Sequence, residues 1–141
     1  MTNRDFFRVV LPWPNWDISP NGTHNRKYRT ALTKSHRTLA RYAAIGAIGY
    51  RNWIDADVAF SIWLFRQPNK IHRDTGNIRS AMKAYQDGVA DALKIDDHVI
   101  KDEHLHLDGY KDGGEVELRI YEDVVQWLDD VRVLVFDAYG E

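Results

Sequence analysis

Acidic residues at the two ends of one helical segment are the side chains whose type and spacing favour chemistry. Asp74 stands near the start of the stretch from Arg73 to Asp97, and the pair Asp96 and Asp97 closes it. If the chain folds back after the helix, these carboxylates would converge on a divalent cation. Carboxylate oxygens with few nitrogen or sulfur ligands suit a hard ion, Mg²⁺ or Mn²⁺.

Between these ends the sequence has the periodicity of an amphipathic helix. The apolar residues at helical spacing are Ile78, Met82, Tyr85, Val89 and Leu93. The polar residues on the other side are Arg79, Ser80, Lys83, Asp87, Asp91 and Lys94. The same features also have an ordinary interpretation, because an acidic helix start, a Lys83/Asp87 pair and a D-D turn stabilise many proteins without binding metal.

The composition indicates one globular domain with a sizeable core. The chain has 141 residues, of which 44% are hydrophobic and 28% charged, as in ordinary globular proteins. It has no cysteine, which excludes disulfides and thiolate metal sites and indicates a reducing compartment. We find no signal sequence and no apolar run of membrane-spanning length, so we expect a cytoplasmic protein.

The charges are distributed unevenly along the chain. The net charge is +7 for residues 1–51, +1 for residues 52–94 and −10 for residues 95–141. A basic amino-terminal third attracts phosphates, whereas the acidic carboxy-terminal third must face away from a polyanion or hold cations. A basic surface helix and an acidic tail that only keep the protein in solution explain the same asymmetry.

The pattern of elements predicts an α+β (α/β-like) fold, with helices covering a mixed sheet in a single domain. The predicted strands are Phe6–Leu11, Asp55–Phe65, Val99–Leu107 and Glu115–Tyr121, the last two forming a hairpin. Besides the helix already described, we predict a basic helix from about His24 to Ile48, capped near Thr23 or His24, and a short helix over Asp123–Val131. The last residues, V-R-V-L-V-F-D-A-Y, are expected to form a strand or an arm on a partner.

Several short motifs occur in a fixed order along the chain. They are L-P-W-P, S-P-N at Ser19–Asn21, R-D-x-x-N at Arg73–Asn77, K-x-x-x-D-G-V-A-D-A-L at Lys83–Leu93 and I-D-D at Ile95–Asp97. Each motif alone is weak, but the ordered set, from about Val9 to Tyr121, resembles the RusA family of Holliday-junction resolvases. The resemblance implies one RusA-like domain over residues 1–141, from a phage or a bacterium.

The resemblance also implies an activity and the residues that carry it. RusA-like proteins are homodimeric, Mg²⁺-dependent endonucleases that bind four-way DNA junctions and cut symmetrically placed strands in recombination and repair. The implied catalytic residues are Asp74, Lys83 and Asp97, and the implied metal ligands are Asp74, Asp96 and Asp97. The implied DNA contacts are Asn21, His24, Arg26, Lys27, Arg29, Arg73, Asn77 and Arg79. Lys83 lies one turn further along its helix than the family's lysine does in the shortest version of the motif.

One position departs from the family pattern. Gly76 stands where the RusA family has its second aspartate, so the site lacks one carboxylate. Asp87, Asp91 or water would have to replace it, or the chain is a weakened or inactive variant that binds branched DNA without cutting it. A third possibility is an interaction protein with an acidic tail, which would have no salt-dependent affinity for DNA.

Two further groups of residues have a functional and an ordinary interpretation. Trp13 and Trp16 precede the basic helix, where they would stack on unpaired bases, although tryptophan usually belongs to a core or an interface. His104 and His106 share one face of a strand, but without a third ligand nearby they are more typical of a surface than of a metal site.

Overall fold

Helices and strands alternate along most of the chain in the computed structural model, which describes residues 6–15, 25–48, 54, 57–69 and 75–139. The elements are β1 (Phe6–Pro12), α1 (Arg26–Ile48), β2 (Ala59–Gln67), α2 (Thr75–Leu93), a single 3₁₀ turn (Asp97–Val99), β3 (Ile100–Tyr110), β4 (Glu115–Tyr121) and α3 (Val124–Tyr139). The predicted α+β class, a mixed sheet covered by helices in one domain, is confirmed. None of the described helices has the length and apolar character needed to span a membrane.

The four strands have the order β1-β4-β2-β3. β4 is antiparallel to both β1 and β2, whereas β2 and β3 are parallel and α2 connects them. The predicted β3–β4 hairpin is therefore wrong, because β2 lies between these two strands. β2 is buried on both faces over Ser61–Phe65, so both of its edges must find a hydrogen-bonding partner inside the sheet.

α1 and α2 pack together on one face of the sheet, which we call the upper face. The core there includes Trp63 and Phe65 from β2 and Tyr85 and Val89 from α2. The Tyr85 hydroxyl donates a hydrogen bond to the Pro12 carbonyl over 2.7 Å, and burial raises the pKa of Tyr85. The apolar face predicted for α2 is thus confirmed at the positions whose side chains are described.

Gly88 lets the two helices of this layer approach closely. A Cβ atom at Gly88 would lie 2.1 Å from the backbone oxygen of Arg37 and 2.9 Å from the Cβ of Ala40. Ala40 and Ala44 of α1 are completely buried. Small residues on both helices therefore fix how α2 lies against α1.

The cap of α1 lies close to its predicted position. The Asn25 side-chain oxygen accepts a hydrogen bond from the Tyr28 backbone N–H over 2.8 Å, the pattern of an N-cap residue. Thr23 and His24, which we expected near the cap, lie outside the described residues. Within the core, His36 is held at both ring nitrogens, by the Asn15 N–H at 3.0 Å and the Leu32 carbonyl at 2.8 Å.

α3 lies on the opposite, lower face of the sheet. The Trp127 indole donates to the Ser61 carbonyl over 2.8 Å, and the Tyr121 hydroxyl donates to Asp130 over 2.6 Å. The expected end at Val131, followed by a strand or arm, is wrong, because one helix continues to Tyr139. Val131 and Leu134 extend the apolar side that begins at Trp127, and their burial against the sheet keeps this segment helical.

An ion-pair network occupies another part of the lower face. Glu117 is 1% exposed and is paired with Arg8 at 3.0 Å, Arg66 at 3.1 Å and Arg119 at 2.6 Å. Arg66 also pairs with Asp108 and Glu115. Burial alone would raise the pKa of Glu117, but the hydrogen bonds from Arg8 and Arg119 outweigh it and lower that pKa to about 2.

Candidate active site

A polar cleft of about 280 Å³ opens between α1 and the second half of α2. Its lining residues are Arg37, Lys83, Asp87, Ala90, Asp91, Ile95 and Asp96. Two residues that the sequence assigns to the site, Lys83 and Asp96, therefore share one cavity although they come from separate motifs. The cleft lies on the outer side of the upper helical layer, away from the apolar core.

Lys83 and Asp87 form an ion pair on one side of the cleft. The lysine ammonium lies 3.1 Å from the Asp87 carboxylate, one helical turn along α2. The lysine side chain is 61% exposed, and an ion pair of this kind contributes only about 0.3–0.5 kcal/mol. A phosphate entering the cleft could therefore draw the ammonium away from Asp87 at little cost.

Arg37 and Asp91 join the two helices at the other side of the cleft. Two arginine nitrogens donate to the two carboxylate oxygens of Asp91 over 2.7 and 2.9 Å. The hydrogen bond from Arg37 holds the pKa of Asp91 below its usual value. A bidentate pair of this geometry fixes the position of Asp91 more firmly than a single contact would.

The chain turns sharply after α2 and brings Asp96 to the cleft. Lys94 adopts a left-handed conformation with φ of 59°, and the Ile95 N–H donates back to the Ala90 carbonyl over 3.1 Å, which ends the helix. The Asp96 carbonyl accepts from the Val99 N–H over 3.0 Å and closes the 3₁₀ turn. Asp97 begins that turn, and its side chain lies outside the described part of the structure.

Several predicted site residues lie where the structure gives little or no information. Asn21, His24, Arg73 and Asp74 are outside the described residues. Asn77 is the third residue of α2, and its side chain is likewise outside the description. These predictions stay predictions.

Arg79 is placed on the outer side of α2. Its guanidinium lies 2.7 Å from Glu103 of β3 and is 64% exposed. Arg79, Lys83 and Glu103 also line a smaller hollow of about 140 Å³ beside the cleft. The predicted DNA-contacting arginine is thus open to solvent, and the acidic partner would have to release it.

Basic side chains of α1 lie along the helix from its start to the cleft. Arg26, Lys27 and Lys34 are exposed, and none of them forms an ion pair or hydrogen bond with another side chain among the described residues. Arg29 is half-buried. Lys34 precedes Arg37 by one turn, so the cations follow α1 from its amino-terminal end towards the cleft.

The potential ligands in the cleft are of the type that binds a hard divalent cation. Its potential ligands are carboxylates, without cysteine and without a histidine in the lining. Within the described part of the chain, no three acidic or histidine side chains are grouped closely enough to hold a metal ion, a statement that does not cover Asp74 or the side chain of Asp97. The Asp96 side chain forms no ion pair with another described residue, so its carboxylate is available.

Asp87 and Asp91 are poor replacements for the carboxylate that Gly76 lacks. Both already neutralise a cation, Lys83 in one case and Arg37 in the other. Recruiting either one to a metal would break that ion pair. Gly76 itself is the second residue of α2, at the opposite end of the helix from Asp91.

The comparison with known proteins places the chain among relatives. No family model matches the sequence. The chain is similar to an uncharacterized protein of Xylella fastidiosa (strain Temecula1), with 31% identity over 113 residues, which is 79% of this chain and 74% of that protein. The chain belongs to the same family as that protein. Because the relative is described as uncharacterized, the family membership carries no function with it.

Sequence reasoning did not assign Arg37 to the site and offered Asp91 only as a replacement for the carboxylate that Gly76 lacks, although both line the cleft. A signal was present in Gly88, which lies inside a helical pattern between Asp87 and Asp91. A glycine in that setting indicates a close approach by another element. It does not say which residue approaches, and only the structure identifies Arg37.

Trp13 does not stand free as a base-stacking platform. It is half-buried, its ring meets the edge of Phe65 with centroids 6.4 Å apart, and Gly114 lies against it. Trp16 is outside the described residues. His104 and His106 are half-buried and lie side by side with ring centroids 6.1 Å apart.

Proposed function

We propose that this protein is a RusA-like, Mg²⁺-dependent endonuclease that binds and resolves four-way DNA junctions. The observation that carries the proposal is that Lys83 and Asp96, from two motifs separated along the chain, line one cleft beside the basic helix α1. The ordered motifs in the sequence supply the substrate class. The arrangement supports a site in which phosphates approach along α1 and meet carboxylates at the turn after α2.

The side chains have separate roles in this proposal. Asp96 and Asp97 would hold the cation. The 19 residues of α2, about 28 Å of helix, lie between them and Asp74, so Asp74 of the same chain would not reach this ion. When bound, Mg²⁺ polarises the scissile phosphate and lowers the pKa of its water. Lys83 exchanges Asp87 for the phosphate and neutralises charge that develops on it, a role for which a point cation is sufficient.

The arrangement of cations and acids determines how DNA approaches. Arg26, Lys27 and Arg29 bind backbone phosphates, with Asn21 and His24 beside them in the sequence, and these contacts position a junction without reading its bases. Arg73, Asn77 and Arg79 make further contacts near the start of α2. The acidic third of the chain then has to face away from the duplex arms.

Two symmetrical cuts require two sites, so the protein would act as a homodimer. Each copy cuts one of the two equivalent strands. With this activity the protein would act in DNA recombination and repair, in the cytoplasm of a bacterium or of a phage-infected cell.

Gly76 supports a second candidate, a junction-binding protein that no longer cuts. Without a carboxylate at that position the cation would lose one ligand, and the two nearest acids of the cleft are already paired. Both candidates bind four-way junctions, and only cleavage separates them.

A four-way junction cleavage assay in Mg²⁺ and in Mn²⁺ tests the proposal. The protein, Asp97→Asn, Lys83→Met and Gly76→Asp are compared, with Asp112→Asn as control because Asp112 is an exposed carboxylate in the β3–β4 turn. We expect cleavage that Asp97→Asn and Lys83→Met lower at least about 100-fold, since each removes charge stabilisation from the transition state, and that Asp112→Asn leaves unchanged. Junction binding without cleavage, restored by Gly76→Asp, would support the binding protein instead.

Binding is measured separately as a function of salt. We expect the affinity for junctions to fall steeply as salt rises, and Lys27→Ala and Lys34→Ala each to reduce the salt slope by about 1. Lys101→Ala, an exposed lysine of β3, is the matched control. An affinity that does not depend on salt, or no junction binding, would contradict both candidates and favour an interaction protein.

A further inference from the structure

β3 carries a row of metal-ligand side chains on the lower face of the sheet. The register pairs His104 with Ile62 of β2, and His106 follows two residues later on the same side of the strand. Ile62 belongs to the apolar cluster that packs with α3 on the lower face, whereas Leu105, between the two histidines, packs on the upper core. The members of the row are Asp102, His104, His106 and Asp108.

The two imidazole rings at the centre of this row are close together and have no polar partner. Their centroids lie 6.1 Å apart and their planes differ by 28°. Neither ring forms a hydrogen bond or an ion pair with another described residue, and the Nε2 atom of His104 is also shielded from solvent. A shielded polar atom without a bond is unfavourable, so this pair of rings favours a ligand.

The spacing of the rings suits one shared metal ion after a small adjustment. Zn²⁺ binds an imidazole nitrogen at about 2 Å, and a tetrahedral angle at the ion then sets two ring centroids about 5 Å apart. The observed distance is longer by about 1 Å, which rotations of the two side chains within their staggered wells can close. Burial and the neighbouring His106 lower the pKa of His104, so its ring is neutral at neutral pH and offers a lone pair.

The two acids of the row contribute unequally. Asp102 is exposed and forms no ion pair with a described residue, so its charge favours a cation beside His104. Asp108 is held by Arg66 at 2.9 Å. No three acidic or histidine side chains of the described residues are grouped closely enough to hold an ion, so the other positions around the ion belong to water.

We propose that His104 and His106 form a chelating site for a divalent transition-metal ion of the zinc type, on the face of the sheet opposite the cleft. Imidazole suits Zn²⁺, Cu²⁺ and Ni²⁺, whereas Mg²⁺ prefers oxygen, so this site and the carboxylates of the cleft select different ions. β3 is an edge strand with β2 as its neighbour. The chelate needs two alternate residues of an extended strand, so the ion binds the folded edge and stabilises it by mass action.

A Zn²⁺ titration of the full chain tests the site. It is carried out by isothermal titration calorimetry at neutral pH in excess Mg²⁺, which fills sites made of carboxylates. We expect His104→Gln and His106→Gln each to raise the dissociation constant for Zn²⁺ at least about tenfold. The double variant should lie within about threefold of either single one, because one remaining imidazole no longer chelates.

His98→Gln is the matched control, since His98 is an exposed histidine of the 3₁₀ turn with no neighbouring histidine in that turn. It should leave the affinity for Zn²⁺ unchanged. Zn²⁺ should raise the melting temperature of the protein but not that of the double variant. Electron paramagnetic resonance of bound Cu²⁺ should show two coordinating nitrogens, reduced in either single variant.

Circular dichroism checks that each variant is folded, and if His104→Gln is not, His106→Gln decides. Equal Zn²⁺ affinity in the protein and in the folded histidine variants overturns the inference, as does an equal loss in His98→Gln or displacement of Zn²⁺ by Mg²⁺. The inference does not depend on the proposed function. Asp97→Asn should leave Zn²⁺ binding unchanged, and a protein that binds Zn²⁺ through the histidines without binding junctions would overturn only the nuclease.

Discussion

The two faces of the sheet use charged residues in opposite ways. On the upper face the sheet contributes apolar side chains, and the charges of α1 and α2 lie on the outer side, around an open cleft. On the lower face the charges lie directly on the strands, and Glu117 is buried among three arginines. Residues of the same types thus form a solvent-open site in one region and a structural network in the other.

The difference shows what makes a charged cluster available for chemistry. In the cleft, Lys83 and Asp96 are exposed and either weakly paired or without an ion pair to the described residues, so a ligand can take them. In the network, both carboxylate oxygens of Glu117 accept hydrogen bonds from arginines, and removing one side of a buried ion pair leaves the remaining charge poorly compensated. Exposure and existing partners, rather than residue type, separate the two.

The largest expected effect comes from breaking the lower network. Glu117→Gln removes the shared anion and should lower the free energy of unfolding by about 3 kcal/mol, the scale at which a buried ion pair loses one partner. The measurement is urea unfolding at neutral pH. Asp102→Asn, at an exposed position of β3, is the control and should change little.

The same residue gives a pH dependence with a defined sign. The pKa of Glu117 is lowered from 4.5 to about 2 in the folded protein, so its stabilising contribution is complete above pH 4.5 and is lost as the pH falls towards 2. Glu117→Gln should therefore flatten the stability curve in that window. An unchanged curve would mean that the network does not stabilise the fold.

The next largest change in stability is expected in the upper layer, where α1 and α2 approach each other most closely at Gly88. Gly88→Ala places a methyl group against the Arg37 backbone and should lower the free energy of unfolding by about 1–3 kcal/mol, since the helices must move apart. Gly46→Ala makes the same change in α1 at a position with nothing within 4 Å, so it should stabilise by up to about 1 kcal/mol. Effects of the same sign would contradict the close approach.

A smaller effect is expected at the rim of the cleft. Asp91→Asn breaks the bidentate pair with Arg37, but both side chains are solvent-exposed, so the loss should be at most about 1 kcal/mol. A double-mutant cycle with Arg37→Gln isolates the pair. A coupling free energy between Arg37 and Asp91 as large as the loss of stability in Glu117→Gln would contradict the distinction between a weakly paired cleft and a strongly paired network.

The smallest effect is expected at the start of α2. Gly76→Asp adds an acid to the first turn, where the helix dipole favours it, and replaces a glycine, so stability should rise by about 0.5 kcal/mol. Gly76→Asn provides the comparison, because it removes the glycine without adding charge. Equal gains in the two variants would exclude a contribution from the dipole.

The sequence predicts local structure well where periodicity is clear. The alternating E-V-E-L-R-I-Y marks β4 at its observed bounds, and the helical spacing marks α1 and α2 to within a few residues. The terminal V-R-V-L-V-F is misleading because alternating branched residues resemble a strand. The observed helix follows from packing against the sheet, which a local pattern does not contain.

Long-range relations are less accessible from the sequence. The turn before Glu115 suggests a hairpin, but the pairing of β2 with both β3 and β4 depends on which strand is buried on both faces. Lys83 and Asp96, which the sequence assigns to one candidate site, line the same cleft, whereas Arg37 comes from another helix and has no motif. The burial of Glu117 could not be predicted from the sequence either, because charged residues in an alternating strand normally face the solvent.

The pairing of β1 with β4 alone has a consequence for how the protein forms during synthesis. Phe6, near the start of the chain, is aligned with Tyr121, and in the described sheet β1 has no other neighbour. β2, α2 and β3 can associate once the ribosome has released the chain as far as Tyr110, but β1 must wait until β4 emerges. Because closing so long a loop is slow, we expect the last folding step to be the docking of the amino-terminal strand.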